Sequence, residues 1–288
     1  MMKGKTVVIT GASSGLGRET ALALADMEAS LVLVCRDTEK AAALEKKLTG
    51  KGGQVEIHIG DLLLQREVRR VAEEISNRHP KIDVLVNNAG TNFFSYAKTE
   101  DGVERTMAVN YFTPFLLTNM LLGGLMAGAP SRVVNVASSA HYSGKLDSDR
   151  IATDRRMGVG GIGAYGRSKL ALVLFTYEFA RRMDGTGVAA NCLHPGAVRT
   201  NIWSHAGPLS PLTRLASLFM LSSAEGADTQ VYLSSSPEVE GITGRYFEKR
   251  KEKKSSRTSY DVALATKLWM ESEKLTGLDS KTAAGQRM

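Results

Sequence analysis

Tyr165 and Lys169 are the two residues whose types and spacing point most directly to chemistry. They stand four residues apart in a predicted helix, so both side chains lie on the same face. A tyrosine hydroxyl has a pKa of about 10, and an ammonium group beside it favours the tyrosinate and lowers that pKa. We therefore expect the pair to act as a general acid or base near neutral pH.

The segment 10–17 points to a second kind of chemistry, the binding of a pyrophosphate. It contains Gly11, Gly15 and Gly17 between a strand-like run and a helix-like stretch. Glycines permit a tight turn and let backbone N–H groups approach phosphates, and the positive N-terminal end of the following helix then faces them. Turns collect glycine for other reasons too. The position between a strand and a helix is what favours a nucleotide-binding loop.

Short apolar runs alternate with longer helix-like stretches along the chain. The alternation predicts βαβ units, and the nearly continuous apolar strands predict a parallel sheet covered on both faces. We expect one α/β domain over residues 1–288, with a doubly wound parallel sheet of about seven strands. The predicted strands are Thr6–Thr10, Ser30–Cys35, 54–60, 82–87, 132–137, 188–193 and a seventh that includes 245–247. The first three predicted helices are 16–27, Thr38–Leu48 with Thr38 as its N-cap, and 64–79.

Composition narrows the class of protein. Apolar residues make up 43% of the 288 residues and charged residues 23%, as in soluble globular proteins. No apolar run is long enough to span a membrane and none precedes the first strand, so we expect no span, no signal peptide and a cytoplasmic location. Cys35 and Cys192 fit buried, reduced thiols better than a redox pair. The five histidines show no zinc-ligand spacing, and we expect no metal.

The net charge of +7 is concentrated in the segment 245–257, which holds seven basic and two acidic residues. A basic cluster of this kind can attract nucleic acid or an anionic membrane surface. A solvated, flexible loop is the interpretation that we favour, because charged surface segments are common in soluble proteins. We therefore expect no nucleic-acid partner.

Further short motifs stand in order along the chain, most of them where a predicted strand ends. They are Asp61-Leu62, Asn87-Asn88-Ala89-Gly90, Asn110, Ser138, Tyr165 with Lys169, and Pro195-Gly196. Each motif is common by chance, but their shared order over residues 10–196 is specific. With the glycine spacing G-x-x-x-G-x-G, this order resembles the short-chain dehydrogenase/reductase family. Segments 137–141, 194–201, 244–247 and 268–272 resemble its retinol dehydrogenase-like branch.

The resemblance implies a single-domain Rossmann fold and a definite activity. The enzyme would transfer a hydride between a nicotinamide cofactor and an apolar ketone, aldehyde or secondary alcohol that is retinoid-, steroid- or polyketide-like. Tyr165 would be the general acid or base, Lys169 would also bind the nicotinamide ribose, and Ser138 would hydrogen-bond the substrate oxygen. Asn110 would hold a water that relays protons, and Ser139 is an alternative to Ser138. The implied cofactor contacts are Gly11, Ser13, Ser14, Gly15, Leu16, Gly17, Arg36, Asp61, Leu62, Asn88, Ala89, Gly90, Tyr165, Lys169, Pro195, Gly196, Val198 and Thr200. The alternative function is a non-catalytic protein that senses nucleotides or binds a partner.

The end of the second predicted strand indicates which nicotinamide cofactor binds. An NAD-specific site has a carboxylate there for the ribose 2′-hydroxyl, but this chain has Cys35 followed by Arg36. A guanidinium can pair with the 2′-phosphate of NADP, and Lys40 stands one turn further on. Asp37 could instead reach a ribose hydroxyl. We expect NADP(H) rather than NAD(H).

The substrate side is predicted only coarsely. The resemblance implies a mobile lid over residues 197–225 that covers a lipophilic carbonyl or alcohol substrate, and His141 follows Ser138 closely enough to line the site. Apolar residues recur at helical spacing in this segment (Leu209, Leu212, Leu215, Leu218 and Phe219), and a helix that packs on the protein's own core is the alternative interpretation. We expect a flexible tail at 279–288, and both a monomer and a homo-oligomer stay open. The remaining candidate substrate residues are Trp203, Leu209 and Leu212.

Overall fold

A sheet of eight strands forms the centre of the protein in the computed structural model, which describes residues 2–51, 53–198 and 221–278. The strand order is β3-β2-β1-β4-β5-β6-β7-β8. Seven strands run parallel and the last pairs antiparallel with its neighbour. The strands are β1 (Thr6–Thr10), β2 (Ser30–Cys35), β3 (Val55–Ile59), β4 (Val84–Asn87), β5 (Ser131–Val136), β6 (Val188–His194), β7 (Arg245–Glu248) and β8 (Lys251–Lys253). The predicted doubly wound α/β sheet is confirmed, with one strand more than expected.

Helices connect the parallel strands and cover the sheet. They are α1 (Gly15–Asp26), α2 (Thr38–Leu48), α3 (Gln65–Arg78), α4 (Arg105–Met107), α5 (Thr113–Met120), α6 (Leu122–Ala127), α7 (Ile162–Arg182), α8 (Ser223–Ser235) and α9 (Val262–Thr276). A π-helical turn, Ala108–Phe112, joins α4 to α5. Within the described ranges, no helix is both long and apolar enough to cross a bilayer.

Both faces of the sheet are buried, as the apolar strands predict. Along β1, Val7 and Ile9 belong to the core beneath α1, α2 and α8, whereas Val8 belongs to the core beneath α3, α5, α7 and α9. Successive strand residues point to opposite faces, so a strand covered on both sides must be apolar throughout. In α7 every residue from 164 to 180 is buried. This helix is therefore a rigid support for the side chains that it carries.

The start of α2 differs from the prediction by one residue. Asp37, not Thr38, is the N-cap, and its carboxylate accepts a hydrogen bond of 3.0 Å from the Lys40 backbone N–H. The Asp37 backbone is extended, as an N-cap requires, whereas Thr38 already lies in the helix. Asp37 also pairs with the Lys40 ammonium at 2.8 Å.

The basic segment 245–257 is a hairpin for most of its length, so the prediction of a flexible loop is wrong. Strands β7 and β8 are joined by Lys249 and Arg250, both in the left-handed region with φ of 52° and 61°. Such a two-residue turn matches the twist of paired strands. Lys253 pairs with Glu248 across the hairpin at 2.6 Å, and Arg250 pairs with Asp228 of α8. Charged side chains on an edge strand also discourage pairing with other chains.

Candidate active site

The carboxyl ends of β1, β4, β5 and β6 meet at one edge of the sheet. The chain leaves β1 toward β2 on one side, whereas β4 lies on the other side of β1. In an open parallel sheet, such a reversal of strand order leaves a crevice in which ligands bind. These four strands are followed by the glycine-rich loop, Asn88-Ala89-Gly90, Ser138 and Pro195-Gly196, so the topology brings these motifs to the same crevice.

The glycine-rich loop lies at the end of β1 and packs closely on the end of β4. Gly11 has a φ of +65°, which favours glycine. A Cβ at Gly17 would lie 2.4 Å from both the Asn88 Nδ2 and the Gly11 carbonyl oxygen. At Gly15, by contrast, a Cβ would meet nothing within 4 Å. The loop is thus closed against β4 and open at the first turn of α1, where backbone N–H groups can receive a phosphate.

Thr10 and Asn88 fasten the two strand ends together. The Thr10 hydroxyl accepts hydrogen bonds from the backbone N–H groups of Asn88 at 3.1 Å and Ala89 at 3.0 Å. The Asn88 amide donates to the Thr10 carbonyl oxygen at 2.8 Å. These bonds set the separation of the loop from β4, and therefore the width of the crevice.

The residues at the end of β2 offer an uncharged thiol, a guanidinium and a carboxylate that already binds Lys40. The Cys35 side chain is buried, and burial raises the pKa of its thiol to about 11. Asp37 is engaged as the N-cap of α2. Arg36 is exposed and has no ion pair within the described part of the chain. This corner of the crevice therefore offers an exposed guanidinium.

Asn110 is held in the π-helical turn by its neighbours. Its Oδ1 accepts from the Thr91 backbone N–H at 2.8 Å, and its Nδ2 donates to the Thr91 carbonyl oxygen and the Ser168 hydroxyl, both at 2.9 Å. π-turns interrupt helices at functional sites more often than elsewhere. Here the turn directs the Asn110 side chain to the edge of the crevice, and the residue is fully buried.

Lys169 projects from α7 to the same point. Its ammonium donates to the Val136 carbonyl oxygen at 2.8 Å, and the side chain is only 3% exposed. A Cβ at Gly90 would lie 3.3 Å from the Lys169 Nζ and 3.4 Å from the Asn110 Oδ1. Glycine at this position thus leaves room for two polar side chains from different helices.

Ser138 and Tyr165 complete the group. The Ser138 hydroxyl accepts from the Ala140 backbone N–H at 3.2 Å and lies close enough to the Tyr165 phenol to lower its pKa. Ser139 is exposed. The structure therefore brings together Asn110, Ser138, Tyr165 and Lys169.

Burial, more than the neighbouring charge, governs the titration of Tyr165 and Lys169. Burial raises the pKa of the Tyr165 phenol against the opposing effect of the Ser138 hydroxyl. It lowers the pKa of the Lys169 ammonium to about 7. The Lys169 Nζ lies 5.6 Å from the centre of the Tyr165 ring. The expectation that Lys169 lowers the Tyr165 pKa is therefore opposite to the direction in this structure, because desolvation disfavours both charged forms.

Lys169→Met should stabilise the protein at low pH. A folded pKa of about 7 lies below the unfolded value, so burial of the charged Lys169 costs stability that returns as the pH rises from about 7 to 10. Urea unfolding without added cofactor should show a gain of on the order of 2 kcal/mol at pH 6 that vanishes toward pH 10, since loss of the bond to Val136 offsets part of the gain. The exposed Lys145→Met is the control. A pH-independent difference would contradict the prediction.

The other predicted cofactor residues have mixed surroundings. Asp61 accepts from the Leu63 backbone N–H at 3.1 Å in the turn after β3. Val198 and Leu16 both pack against Gly226. A Cβ added at Gly226 would lie 2.5 Å from a Val198 methyl group and 2.7 Å from a Leu16 methyl group. Gly196 follows β6 with a φ of +90°. Leu62 is buried, and Ser14 precedes α1 without a side-chain cap.

The predicted substrate residues are placed only in part. His141 is fully buried, and both of its ring nitrogens are hydrogen-bonded within the protein, an arrangement that does not favour direct contact with a substrate. The last residues of the predicted lid belong to α8, which begins at Ser223. The predictions for Thr200, Trp203, Leu209, Leu212 and the tail 279–288 fall outside the described residues.

A buried ion pair lies beside the site and was not predicted from the sequence. Arg167 lies on α7 between Tyr165 and Lys169 and is 2% exposed. Its guanidinium donates to the carbonyl oxygens of Asp154 at 3.1 Å and Arg156 at 3.2 Å and pairs with the Asp154 carboxylate at 3.4 Å. These contacts anchor the segment between β5 and α7. The feature of the sequence that could have predicted this ion pair is a charged residue at a position of the helix that faces the core.

The class of protein follows from the sheet and from a family comparison. Residues 5–149 match the family model described as short chain dehydrogenase. With the parallel sheet and the glycine-rich loop, the match defines an oxidoreductase that uses a nicotinamide cofactor. The chain belongs to the short-chain dehydrogenase family.

Similar proteins of known name identify the branch of the family to which the chain is related. Retinol dehydrogenase 14 of Homo sapiens is 44% identical over 96% of this chain and 88% of its own length. Retinol dehydrogenase 13 of Homo sapiens is 38% identical over 98% of this chain and 88% of its own. The predicted retinol dehydrogenase-like branch is thereby confirmed.

Solved structures agree on the fold. An uncharacterised protein from Mycobacterium Paratuberculosis superposes with a TM-score of 0.77 at 33% identity, covering 96% of this chain and 94% of that one. RhlG from Pseudomonas aeruginosa, solved as an NADP active-site complex, has a TM-score of 0.69 at 25% identity, covering 85% of this chain and 94% of its own.

Proposed function

We propose that the protein is an NADP(H)-dependent enzyme that interconverts an apolar ketone or aldehyde and the corresponding alcohol. The observation that carries the proposal is the assembly of Asn110, Ser138, Tyr165 and Lys169 at the crevice that the glycine-rich loop borders. Four residues from a π-turn, a strand end and one helix converge there, although 59 positions separate the first from the last. A protein that only senses nucleotides has no need of this convergence.

The roles follow from the contacts. Tyr165 donates a proton to the oxygen of the reduced carbonyl, or accepts it in the reverse direction, and the Ser138 hydroxyl orients that oxygen. The raised pKa of Tyr165 keeps the phenol protonated, which suits a proton donor. Lys169, with a pKa of about 7, can gain or lose a proton near neutrality and restore the proton of Tyr165. The cofactor, when bound, supplies or accepts the hydride.

The cofactor would lie between the glycine-rich loop and the ends of β4 and β6. Gly15 leaves space at the N-terminus of α1 for the pyrophosphate. Arg36 would pair with the 2′-phosphate, since Cys35 is uncharged and Asp37 is engaged with Lys40. The NADP complex of the related RhlG is consistent with this preference.

Arg36→Ala should weaken the binding of NADPH far more than that of NADH. Only NADPH has a 2′-phosphate, and loss of a charge-assisted hydrogen bond costs about 1.5–3 kcal/mol. Fluorescence titration of both nucleotides gives the two dissociation constants. Arg78→Ala, which removes an exposed arginine at the end of α3, is the control and should change neither. Equal weakening of both cofactors by Arg36→Ala would refute the preference.

The substrate is proposed to be lipophilic, in the class that the names of the relatives suggest. The names of the two human relatives state that they are retinol dehydrogenases. The test is a panel of retinoid, steroid and small aromatic carbonyls and alcohols, followed by the absorbance of NADPH. Tight NADPH binding with no turnover on any member of the panel would favour the non-catalytic alternative.

A further inference from the structure

We propose that His141 is a positioning residue that holds the backbone of Ser138 and thereby sets the position of the Ser138 hydroxyl beside Tyr165. The proposal rests on the proposed function, because it assigns His141 a part in the same site. It assigns the imidazole no contact with substrate. His141 acts through the carbonyl group of Ser138.

The contacts of the ring determine which nitrogen carries the proton. The Ser256 backbone N–H donates to the His141 Nε2 at 3.1 Å. A backbone N–H can only donate, so Nε2 is an acceptor without a proton. In a neutral imidazole the proton is then on Nδ1, and Nδ1–H donates to the Ser138 carbonyl oxygen at 2.6 Å. The tautomer is therefore a consequence of the fold.

The carbonyl oxygen of Ser138 receives two donors from the same residue. The His141 backbone N–H donates to it at 3.1 Å, in addition to the imidazole Nδ1–H. Both lone pairs of the oxygen are thus engaged, and the peptide plane after Ser138 cannot rotate without breaking both bonds. The Ser138 backbone is extended, and its hydroxyl accepts from the Ala140 backbone N–H on the side where it influences the Tyr165 pKa.

The ring itself is fixed by packing. His141 is fully buried, with its ring centre 4.1 Å from that of Tyr142 and 4.8 Å from that of Tyr246 in β7. The Tyr142 hydroxyl donates to the Lys254 carbonyl oxygen at 2.6 Å. Because its Nε2 accepts from the Ser256 backbone N–H, His141 links Ser138 to the segment that follows β8, which comes from a distant part of the chain. A rigid second layer of this kind maintains the geometry of reacting groups.

Two amide variants separate positioning from mere support. In His141→Asn the side-chain NH₂ can replace Nδ1–H as the donor to Ser138, whereas in His141→Gln the side-chain oxygen can replace Nε2 as the acceptor from Ser256. We expect His141→Asn to keep kcat within about threefold of the wild type. We expect His141→Gln to lose at least about tenfold in kcat, with KM and the Kd for NADPH unchanged, because a small misplacement of a reacting group has a large effect on rate.

Tyr142→Phe is the matched control. It keeps the ring against His141 and removes only the bond to Lys254, so we expect kcat to stay unchanged. Equal kcat losses in His141→Asn and His141→Gln, or losses that follow the Tm of each variant, would show a purely structural histidine and overturn the proposal.

A measurement on the wild type covers the case in which the variants do not fold. ¹⁵N NMR of the histidine ring at pH 7 should show a neutral His141 with its proton on Nδ1. A proton on Nε2, or on both nitrogens, would overturn the proposal. If the wild type turned over no substrate, the proposed function would fail but the His141 proposal would still be tested, since NMR determines the tautomer without any substrate.

Discussion

Tyr165→Phe should lower kcat at least about a hundredfold, the smallest loss expected when a general acid is removed. The substitution deletes one oxygen and keeps the ring, which is 7% exposed and packed in α7. The Ser138 hydroxyl would lose the phenol beside it, but the contacts of Lys169 with Val136 would stay. We therefore expect the Kd for NADPH to remain close to that of the wild type. Steady-state kinetics on the best substrate of the panel measures the loss.

Tyr177→Phe is the matched control for this prediction. Tyr177 lies on the same helix, is also buried, and its hydroxyl is hydrogen-bonded to that of Ser255 at 2.7 Å. Its loss should reduce stability by about 1 kcal/mol and leave kcat unchanged. Normal turnover in Tyr165→Phe would remove Tyr165 from the proposed chemistry.

Asp154→Asn should destabilise the protein by about 3–5 kcal/mol, because it leaves a buried guanidinium without its carboxylate. Asp154 and Arg167 are 4% and 2% exposed, and Arg167 sits on α7 between the two proposed catalytic residues. The loss should also loosen the segment between β5 and α7, since Arg167 binds the carbonyl oxygens of Asp154 and Arg156. Urea unfolding measures the free energy.

Asp149→Asn provides the control for the ion pair. Asp149 pairs with Lys267 at 2.7 Å on the surface, where side chains are 70% and 49% exposed. Surface pairs contribute about 0–1 kcal/mol, so this variant should be nearly neutral. An equally small effect of Asp154→Asn would mean that the backbone carbonyl oxygens of Asp154 and Arg156 are sufficient partners for the buried Arg167 guanidinium.

The loss from Asp154→Asn should also depend on pH. Burial raises the pKa of the Asp154 carboxyl, but hydrogen bonds from Arg156 and the charge of Arg167 outweigh it, so the pKa lies below its ordinary value. A carboxyl group whose pKa is lower in the folded than in the unfolded state stabilises the folded protein at any pH above the unfolded-state pKa. That stabilisation is lost as the pH falls through the folded-state pKa. The difference between the wild type and Asp154→Asn should therefore shrink below about pH 4.

The hairpin and the N-cap show where local patterns mislead. The basic charges of 245–257 suggest a solvated loop, but Tyr246 and Phe247 are buried beneath them and hold β7 in the sheet. At α2, threonine and aspartate are both good caps, and the extended backbone at Asp37 decides between them. The hairpin depends on pairing with the distant strand β6, and the cap depends on a local backbone conformation that residue types alone do not specify.

The sequence by itself determined the parallel strands and the glycine-rich loop, because burial on both faces and a tight turn leave direct marks on residue types. It also indicated which polar residues follow those strands. Only the tertiary structure decided which groups meet. Asn110 reaches Ser168 across 58 positions and His141 reaches Ser256 across 115, contacts that no local spacing encodes. The direction of the Lys169 and Tyr165 pKa shifts was likewise a tertiary outcome, since burial is set by the packing of all the elements around α7.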